Sequence, residues 1–186
     1  MEEMSREWYN EHLQKDPSDL PHWVRLYEEA AALLPESLDT PIADLGCQSG
    51  YFAKFLWNKG YKNYWGVDFA ARTIYNARRV VPEYKFTAGN LNHTRVRNRF
   101  SYYDTFVMLE ILQLLEKDIP LLEAIPSGKE VIISLPNKSS LGVVRIFTNI
   151  NQIESRYSNL VDFDVLKALP PSSKGKIFFL AHGRRI

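Results

Sequence analysis

The sequence predicts an α/β fold: a doubly wound, mostly parallel seven-stranded sheet that ends in a C-terminal antiparallel hairpin. From residue 41 onward, short apolar runs alternate with helical patterns, which is typical of a parallel sheet covered by helices on both faces. The run Thr105–Leu109 is continuously apolar, as expected for a parallel strand buried on both faces. Only residues 170–175 join the last two predicted strands, which is too short for a crossover helix, so that pair should be antiparallel.

Length and composition indicate one globular domain. The chain has 186 residues, enough to bury a core without disulfides or metals, and its 45% hydrophobic and 24% charged residues exclude a disordered chain. Because 23 basic and 22 acidic residues give a net charge of +1, a protein dedicated to coating nucleic acid is excluded, although a local basic patch is not. The single cysteine excludes an internal disulfide and a cysteine-based zinc cage.

Residues 1–40 are predicted to form a helical lid that precedes the core at residues 41–186. The first helix covers about Ser5 to Leu13. The second begins near Asp19, tolerates Pro21 in its first turn and ends at Leu34 before a proline. A helical spacing places four of its residues on one face: Trp23, Tyr27, Ala30 and Leu34. The charged N-terminus has no apolar segment of the secretory type and no run is long enough to span a membrane, so we expect a soluble cytoplasmic protein.

The core elements are predicted from apolar runs and from the residues that begin or end helices. Gly60 should end the first core helix and Pro82 the second, and Asn151 with Glu154 has the spacing of a capping box. The predicted strands are 41–45, 64–68, 84–88, 105–109, 131–135, 161–169 and 176–182. The predicted core helices are 50–60, 70–81, 118–125 and 151–160.

The segment Asp44–Gly50, between the first strand and the following helix, is the strongest functional signal. Its glycines let the backbone turn tightly and approach a ligand, and ligands of doubly wound sheets bind beyond the carboxyl ends of the strands. Asp68 ends the second strand roughly 20 residues further on, where an acid can accept both hydroxyls of a ribose. The glycine pattern of dinucleotide sites and the lysine of a P-loop are both missing, and Asp44 would repel a pyrophosphate. The pattern therefore favours a nucleoside cofactor that carries an ammonium group and no phosphate.

These motifs together resemble the class I S-adenosylmethionine-dependent methyltransferases, which have a Rossmann-like core. The resemblance rests on Asp44–Gly50, Gly66–Asp68, Ala88–Leu91, Tyr103–Val107 and the turn Pro126–Lys129. It implies S-adenosyl-L-methionine as the cofactor, with the glycine loop around the methionine end, Asp68 on the ribose and Asn90 with Leu91 beside the adenine. The implied cofactor residues are Asp44, Gly46, Cys47, Gln48, Gly50, Asp68, Phe69, Asn90, Leu91 and Leu109.

Four positions depart from the family pattern. Gln48 stands where the family often has glycine, and Asn90 stands where it often has aspartate. Gln113 and Leu114 occupy the place of the Glu-His pair that ubiquinone-type O-methyltransferases carry, so metal- or histidine-assisted chemistry at that place is not supported, and we expect no metal site.

The candidate catalytic residues are Glu110 and His93. Glu110 follows the fourth strand at its carboxyl end and could touch a substrate, while His93 follows the adenine segment and could reach the cleft as a base. For His93 the alternative is a solvated loop residue. His182, near the end of the last strand, should be structural. The basic run 95–99 leads into the start of the fourth strand and is interpreted as a solvated connection.

The sequence thus predicts an S-adenosylmethionine-dependent methyltransferase acting on a small or locally exposed oxygen or nitrogen acceptor. A small-molecule acceptor fits best because the chain has almost no insertion beyond the core, while nucleic-acid and protein acceptors stay open. The alternative is a non-catalytic binding or scaffold domain of the same fold. A side chain at position 50 is expected to intrude on the cofactor.

Overall fold

The computed structural model describes residues 20–138 and 142–186, so the predicted helix over Ser5 to Leu13 lies outside the described residues. The strands are β1 Ile42–Leu45, β2 Tyr64–Asp68, β3 Lys85–Ala88, β4 Thr105–Leu109, β5 Glu130–Pro136, β6 Val161–Ala168 and β7 Phe178–Arg185. The helices are α1 Pro21–Ala31, α2 Tyr51–Asn58, α3 Ala71–Val80, α4 Thr94–Arg97, α5 Asp118–Glu123 and α6 Ile150–Tyr157. Short 3-10 turns cover Phe100–Tyr102 and Leu112–Leu114.

The seven strands form one sheet in the order β3-β2-β1-β4-β5-β7-β6. Strands β1 to β5 pair in parallel, whereas β7 lies antiparallel to both β5 and β6. The predicted architecture, including the C-terminal antiparallel hairpin, is therefore confirmed.

Helices cover both faces of the sheet, and successive strand residues alternate between two apolar cores. Ile42 packs in the core beneath α1, α2 and α3, while its neighbours Ala43 and Leu45 pack in the core on the opposite face with α5 and α6. All five residues of β4 are buried, as its continuous apolar pattern predicted, and so are all four residues of β1.

Helix α1 packs its apolar face on α2 next to the sheet. The predicted stripe is confirmed at Tyr27, Ala30 and Leu34, which are buried, and Leu26 is buried with them. The ring of Tyr27 lies 5.3 Å from that of Phe52 in α2. The helix ends at Ala31, earlier than predicted, because the N–H groups at positions 33 and 34 turn back to the carbonyls three residues before them.

Two predicted details near the C-terminus are wrong. The side chain that caps α6 is Asn149, whose Oδ1 accepts from the N–H of Gln152 at 3.1 Å, so the capping box predicted at Asn151 and Glu154 does not form. The last strand begins at Phe178 and continues to Arg185, past the predicted end, because both of its neighbours offer ladder partners up to that residue.

The basic run 95–99, which was predicted to be a solvated connection, contains most of the short helix α4.

None of the helices in the described ranges combines the length and the apolar character that a membrane crossing requires.

Candidate functional site

The carboxyl ends of the parallel strands bring the predicted site segments to one edge of the sheet. The loop Gly46–Gly50 follows β1, Asp68 ends the adjacent β2, and Glu110 follows β4 on the other side of β1. Side chains from three strands can therefore surround a ligand at this edge, as in other doubly wound sheets.

The glycine loop lies close to both neighbouring strands. The N–H groups of Gly46 and Cys47 both donate to the carbonyl of Val67, at 2.7 and 3.1 Å. Gly46 has φ +92°, and a Cβ there would lie 2.8 Å from Cγ1 of Ile111, in the segment after β4. The glycine is needed both for this backbone conformation and for the close approach of Ile111.

The end of the loop is shaped by two further residues with left-handed backbone. Gln48 has φ +47°, a backbone conformation that glycine adopts more readily, and its N–H donates to Oδ2 of Asp68 at 3.1 Å. Gly50 has φ +79°, and a Cβ there would meet Cβ of Ala77 at 3.0 Å and its Cα at 3.1 Å. The expectation that a side chain at position 50 would point at a ligand is therefore wrong, because that space is filled by α3.

The carboxylate of Asp68 accepts three hydrogen bonds from other residues. Its Oδ1 accepts from the N–H of Ala70 at 2.9 Å and from the hydroxyl of Thr73 at 3.2 Å, and its Oδ2 accepts from Gln48. Burial raises the pKa of Asp68, and these three donors oppose that effect. Because Oδ2 has one protein donor, it keeps capacity to accept a hydrogen bond from a ligand hydroxyl.

A cleft opens beside Asp68. It is largely apolar, with a few polar groups, which is the usual character of a small-molecule site. Its walls are Gly46, Asp68, Phe69, Asn90, Leu91, Ile111, Leu114 and Leu115. The structure thus brings together five of the predicted cofactor residues at one cleft, and their contact with a cofactor stays a prediction.

Other predicted cofactor residues do not line this cleft. Asp44 is buried and accepts a short hydrogen bond from the hydroxyl of Tyr64. Burial raises the pKa of Asp44 to about 7, while the Tyr64 hydroxyl lowers it and Asp68 raises it further. Leu109 packs in the apolar core, and burial raises the pKa of the Cys47 thiol well above its usual range, so Cys47 is a packed residue and no nucleophile. For all three, cofactor contact stays a prediction.

The two candidate catalytic residues lie in different surroundings. Glu110 is buried with φ +58°, beside Ile111 of the cleft wall, and burial raises its pKa to about 7 against the opposing effects of Lys176 and Ser134. His93 is exposed and caps α4, with its Nδ1 accepting from the N–H of Arg95 at 3.3 Å. Glu110 thus adjoins the cleft wall at Ile111 and His93 is not among the residues that line the cleft, and for both a catalytic role stays a prediction.

His182 is structural, as predicted from its position. It lies in the middle of the β5–β7 ladder opposite Ile132, and its Nδ1 is 2.7 Å from Oδ1 of Asp164. Among residues 20–138 and 142–186, no group of three or more histidine, cysteine, aspartate or glutamate side chains could hold a metal ion.

Three residues of the cleft wall were not predicted from the sequence. Ile111, Leu114 and Leu115 reach the cleft through the 3-10 turn that follows β4. The largely apolar segment from 105 to 115, interrupted by Glu110 and Gln113, conceals the turn, because leucine and isoleucine occur equally well in a buried strand and in a cleft wall. The positive φ of Glu110, which ends the strand, has no sequence signature in a glutamate.

Comparisons with known proteins yield similar structures only. No protein-family profile and no curated protein sequence matches the chain. The N-methyltransferase NodS from Bradyrhizobium japonicum WM9, solved with S-adenosyl-L-homocysteine, superposes with a TM-score of 0.73 at 14% identity, over 97% of this chain and 96% of that one. Magnesium protoporphyrin IX methyltransferase ChlM from Synechocystis PCC 6803, also solved with that compound, gives 0.71 at 15% identity, over 97% and 98% of the two chains.

The chain has the fold of the S-adenosylmethionine-dependent methyltransferases. The same fold also serves other chemistry, since the cyclase SpnF superposes with a TM-score of 0.69 at 9% identity, over 86% of this chain and 80% of that one. At these identities the comparison establishes the fold, and the activity has to be argued from the site.

Proposed function

We propose that this protein is an S-adenosylmethionine-dependent methyltransferase that acts on a small or locally exposed oxygen or nitrogen acceptor. The observation that carries the proposal is the cleft at the carboxyl edge of the sheet, in which the buried, three-fold hydrogen-bonded carboxylate of Asp68 faces apolar walls. In this assignment Asp68 accepts from the ribose and Asn90 with Leu91 lies beside the adenine. The cofactor supplies an activated methyl group, and the chain orients it and excludes water.

The fold comparison supports this proposal without reaching the acceptor. NodS and ChlM were both solved with S-adenosyl-L-homocysteine, the product that remains after methyl transfer. The alternative is a domain of the same fold that binds without transferring a methyl group. It is favoured by the cyclase SpnF, which shares the fold, and by Gln113 and Leu114, which replace the Glu-His pair.

Calorimetry with S-adenosylmethionine and S-adenosylhomocysteine tests the cofactor assignment. We expect binding near one to one in the wild type and no response to NAD or ATP. Asp68→Ala should weaken binding by about 1.5–3 kcal/mol, roughly tenfold to more than a hundredfold, because it removes hydrogen bonds to a charged group. Asp104→Ala is the matched control, since Asp104 is an exposed aspartate that precedes β4 at the opposite edge and pairs with Lys129.

Two results would contradict the proposal. Equal affinity in folded Asp68→Ala and wild-type protein would remove the ribose assignment. Tight cofactor binding with no transfer of isotopic label from S-adenosylmethionine to any oxygen or nitrogen acceptor of a broad panel would favour the non-catalytic alternative.

A further inference from the structure

A second polar group lies next to the cleft, on the side away from Asp68. Glu110 follows β4 with φ +58°, a conformation that costs a non-glycine residue of order 1–3 kcal/mol and is typically retained at functional sites. Its neighbour Ile111 lines the cleft. The carboxylate of Glu110 is therefore held, at some cost to the backbone, at the border of the proposed cofactor site.

The Glu110 carboxylate has one polar partner in the sheet and one charged partner on the connection between β6 and β7. The hydroxyl of Ser134 in β5 donates to Oε1 at 3.3 Å, and the same hydroxyl accepts from the N–H of Glu110 at 3.0 Å. Nζ of Lys176 lies 3.2 Å from Oε2. Glu110 is only 6% exposed at its side chain while Lys176 is 28% exposed, so the lysine approaches the buried carboxylate from solvent.

Aromatic rings surround the ammonium group at the same point. Nζ of Lys176 lies 4.4 Å from the ring centroid of Phe178 and 5.1 Å from that of Trp23. The two rings lie 5.0 Å apart, and His22 stacks on Phe178 at 5.7 Å. Two aromatic faces with one carboxylate are the side chains that proteins use to bind organic ammonium ions.

These residues lie at the ligand edge of the sheet. Phe178 begins β7 opposite Pro136, at the carboxyl end of β5, and Ser134 lies opposite Leu109 at the carboxyl end of β4. Trp23 and His22 come from the first turn of α1, which reaches the same edge. The cluster therefore lies at the same edge of the sheet as the cleft and meets it where Glu110 precedes Ile111.

We propose that Glu110, Trp23 and Phe178 form a binding site for an organic ammonium group, and that the methyl acceptor is an amine held there after displacing the Lys176 side chain. The role of the amine as methyl acceptor rests on the proposed function, whereas the ammonium-binding site itself does not. Lys176 is on the connection between β6 and β7, outside both strands, so its side chain can leave without breaking the sheet.

The charges of the cluster select a cation over an anion. Among the described residues in contact with Lys176, the charged group that remains after its displacement is the Glu110 carboxylate, and an anionic acceptor would be repelled by it. A neutral acceptor would leave the buried carboxylate with the Ser134 hydroxyl and no charged partner, which is unfavourable. An ammonium group restores the neutral pair, and Glu110 is then the group in contact that can accept the proton that an amine must lose before it is methylated.

Binding of n-butylammonium to Lys176→Ala protein tests the site directly. At pH 8, calorimetry should show that n-butylammonium binds this variant at least about tenfold more tightly than wild type, in which the tethered lysine competes at millimolar effective concentration. Binding should raise the melting temperature of the variant by mass action, so a destabilised variant remains informative. Lys176→Ser serves the same purpose if the alanine variant does not fold. The double variant with Glu110→Gln should lose most of the affinity.

The controls vary the ligand charge and the lysine that is removed. n-Butanol and butyrate, with the same chain and no positive charge, should not bind Lys176→Ala. Lys129→Ala should not gain affinity for n-butylammonium, because Lys129 pairs with the exposed Asp104 at the opposite edge of the sheet. Butyrate binding to wild type more tightly than n-butylammonium would overturn the proposal in favour of an anionic acceptor held by Lys176. Equal n-butylammonium affinity with and without Glu110→Gln would overturn it as non-specific.

A failure of this inference is distinguishable from a failure of the proposed function. S-adenosylhomocysteine is titrated into the same wild-type sample. Cofactor binding without any ammonium site would leave the methyltransferase proposal intact and remove the amine acceptor. An ammonium site without cofactor binding would do the reverse.

Discussion

Gln48 is a residue whose backbone conformation suits glycine better than glutamine. Its φ of +47° lies in the left-handed region, where a side chain is disfavoured by roughly 1–2 kcal/mol. Its contribution to the site is a backbone N–H to Asp68, which any residue can supply. The side chain at this position is therefore dispensable for orienting Asp68.

Gln48→Gly should raise the free energy of unfolding by about 0.5–1 kcal/mol and leave the Asp68 hydrogen bond in place. Urea denaturation measures this change. Gln152→Gly is the matched control with the opposite sign, since Gln152 lies in α6 and its side chain accepts from the N–H of Thr148. A lower stability for Gln48→Gly would show that the glutamine side chain makes a contact worth more than the strain.

Gly50→Ala should lower the free energy of unfolding by more than 1 kcal/mol, because a Cβ at φ +79° would lie 3.0 Å from Cβ of Ala77. Thermal and urea denaturation would measure the loss. Gly128→Ala, also at positive φ but with no atom within 4 Å of the added Cβ, separates backbone strain from the clash. Equal losses in the two variants would mean that contact with α3 contributes nothing.

At the residue level, sequence reasoning identified the cleft residues that belong to loops with a recognisable pattern. Asp68 ends a strand after a glycine loop, and Asn90 follows the next strand, so chain order alone placed them at one edge. Tyr64 as the partner of Asp44 was not predictable, because residues 20 apart meet only through the register of β1 and β2. The binding of Asp68 and Asn90 to a cofactor stays a prediction.

At the level of elements, one arginine fixes the segment that closes the cleft. Nη1 of Arg145 donates to the carbonyls of Leu112 and Leu115, at 2.7 and 2.5 Å, and its guanidinium lies 3.2 Å from Asp118 in α5. Arg156 in α6 pairs with the same aspartate at 2.8 Å without reaching that segment. The two arginines therefore share a partner and differ in their contact with the cleft wall.

Arg145→Met should weaken S-adenosylhomocysteine binding about tenfold more than Arg156→Met, since it removes the arginine donor from the carbonyls of Leu112 and Leu115 and loosens Leu114 and Leu115. Calorimetry on both variants, with melting temperatures measured in parallel, makes the comparison. Similar losses of affinity in the two variants would show that the Asp118 cluster acts on general stability alone.

Element boundaries were predictable where a single residue type marks them. Gly60, with φ +93°, lies two residues after the end of α2, where its position predicted that the helix stops. The cap of α6 was misplaced by two residues because asparagine occurs at both 149 and 151, and only the backbone shows that Asn149 is extended while the helix begins at Ile150. Propensity cannot choose between two equivalent caps so close together.

For the whole molecule, two buried carboxyl groups should make stability fall as the pH rises. Burial raises the pKa of Asp44 from 3.8 and of Glu110 from 4.5, each to about 7. Between these values the native state holds protons that the unfolded chain has released, so the stability contribution is fully present below about pH 4 and is lost as the pH passes 7. Asp118 has the opposite sign: burial alone would raise its pKa, but Arg156, Tyr157 and Arg145 hold it below its usual value.

The free energy of unfolding should therefore decrease from pH 5 to pH 8 by up to about 5 kcal/mol, measured by urea denaturation at each pH. Asp44→Asn should flatten this dependence, whereas Asp39→Asn, at an exposed position, should leave it unchanged. A stability that rises over this range in the wild type would show that both carboxyl groups are ionised in the native state.

The position of β7 between β5 and β6 has a consequence for the order of events during synthesis. The ribosome delivers β6 before β7, yet β6 pairs with the sheet only through β7. Until Arg185 has emerged, a nascent chain presents the apolar β5 with one open edge and carries β6 without a partner, the kind of surface that chaperones bind. Phe178 emerges equally late, so this aromatic ring next to Glu110 is synthesised after all residues that line the cleft beside Asp68.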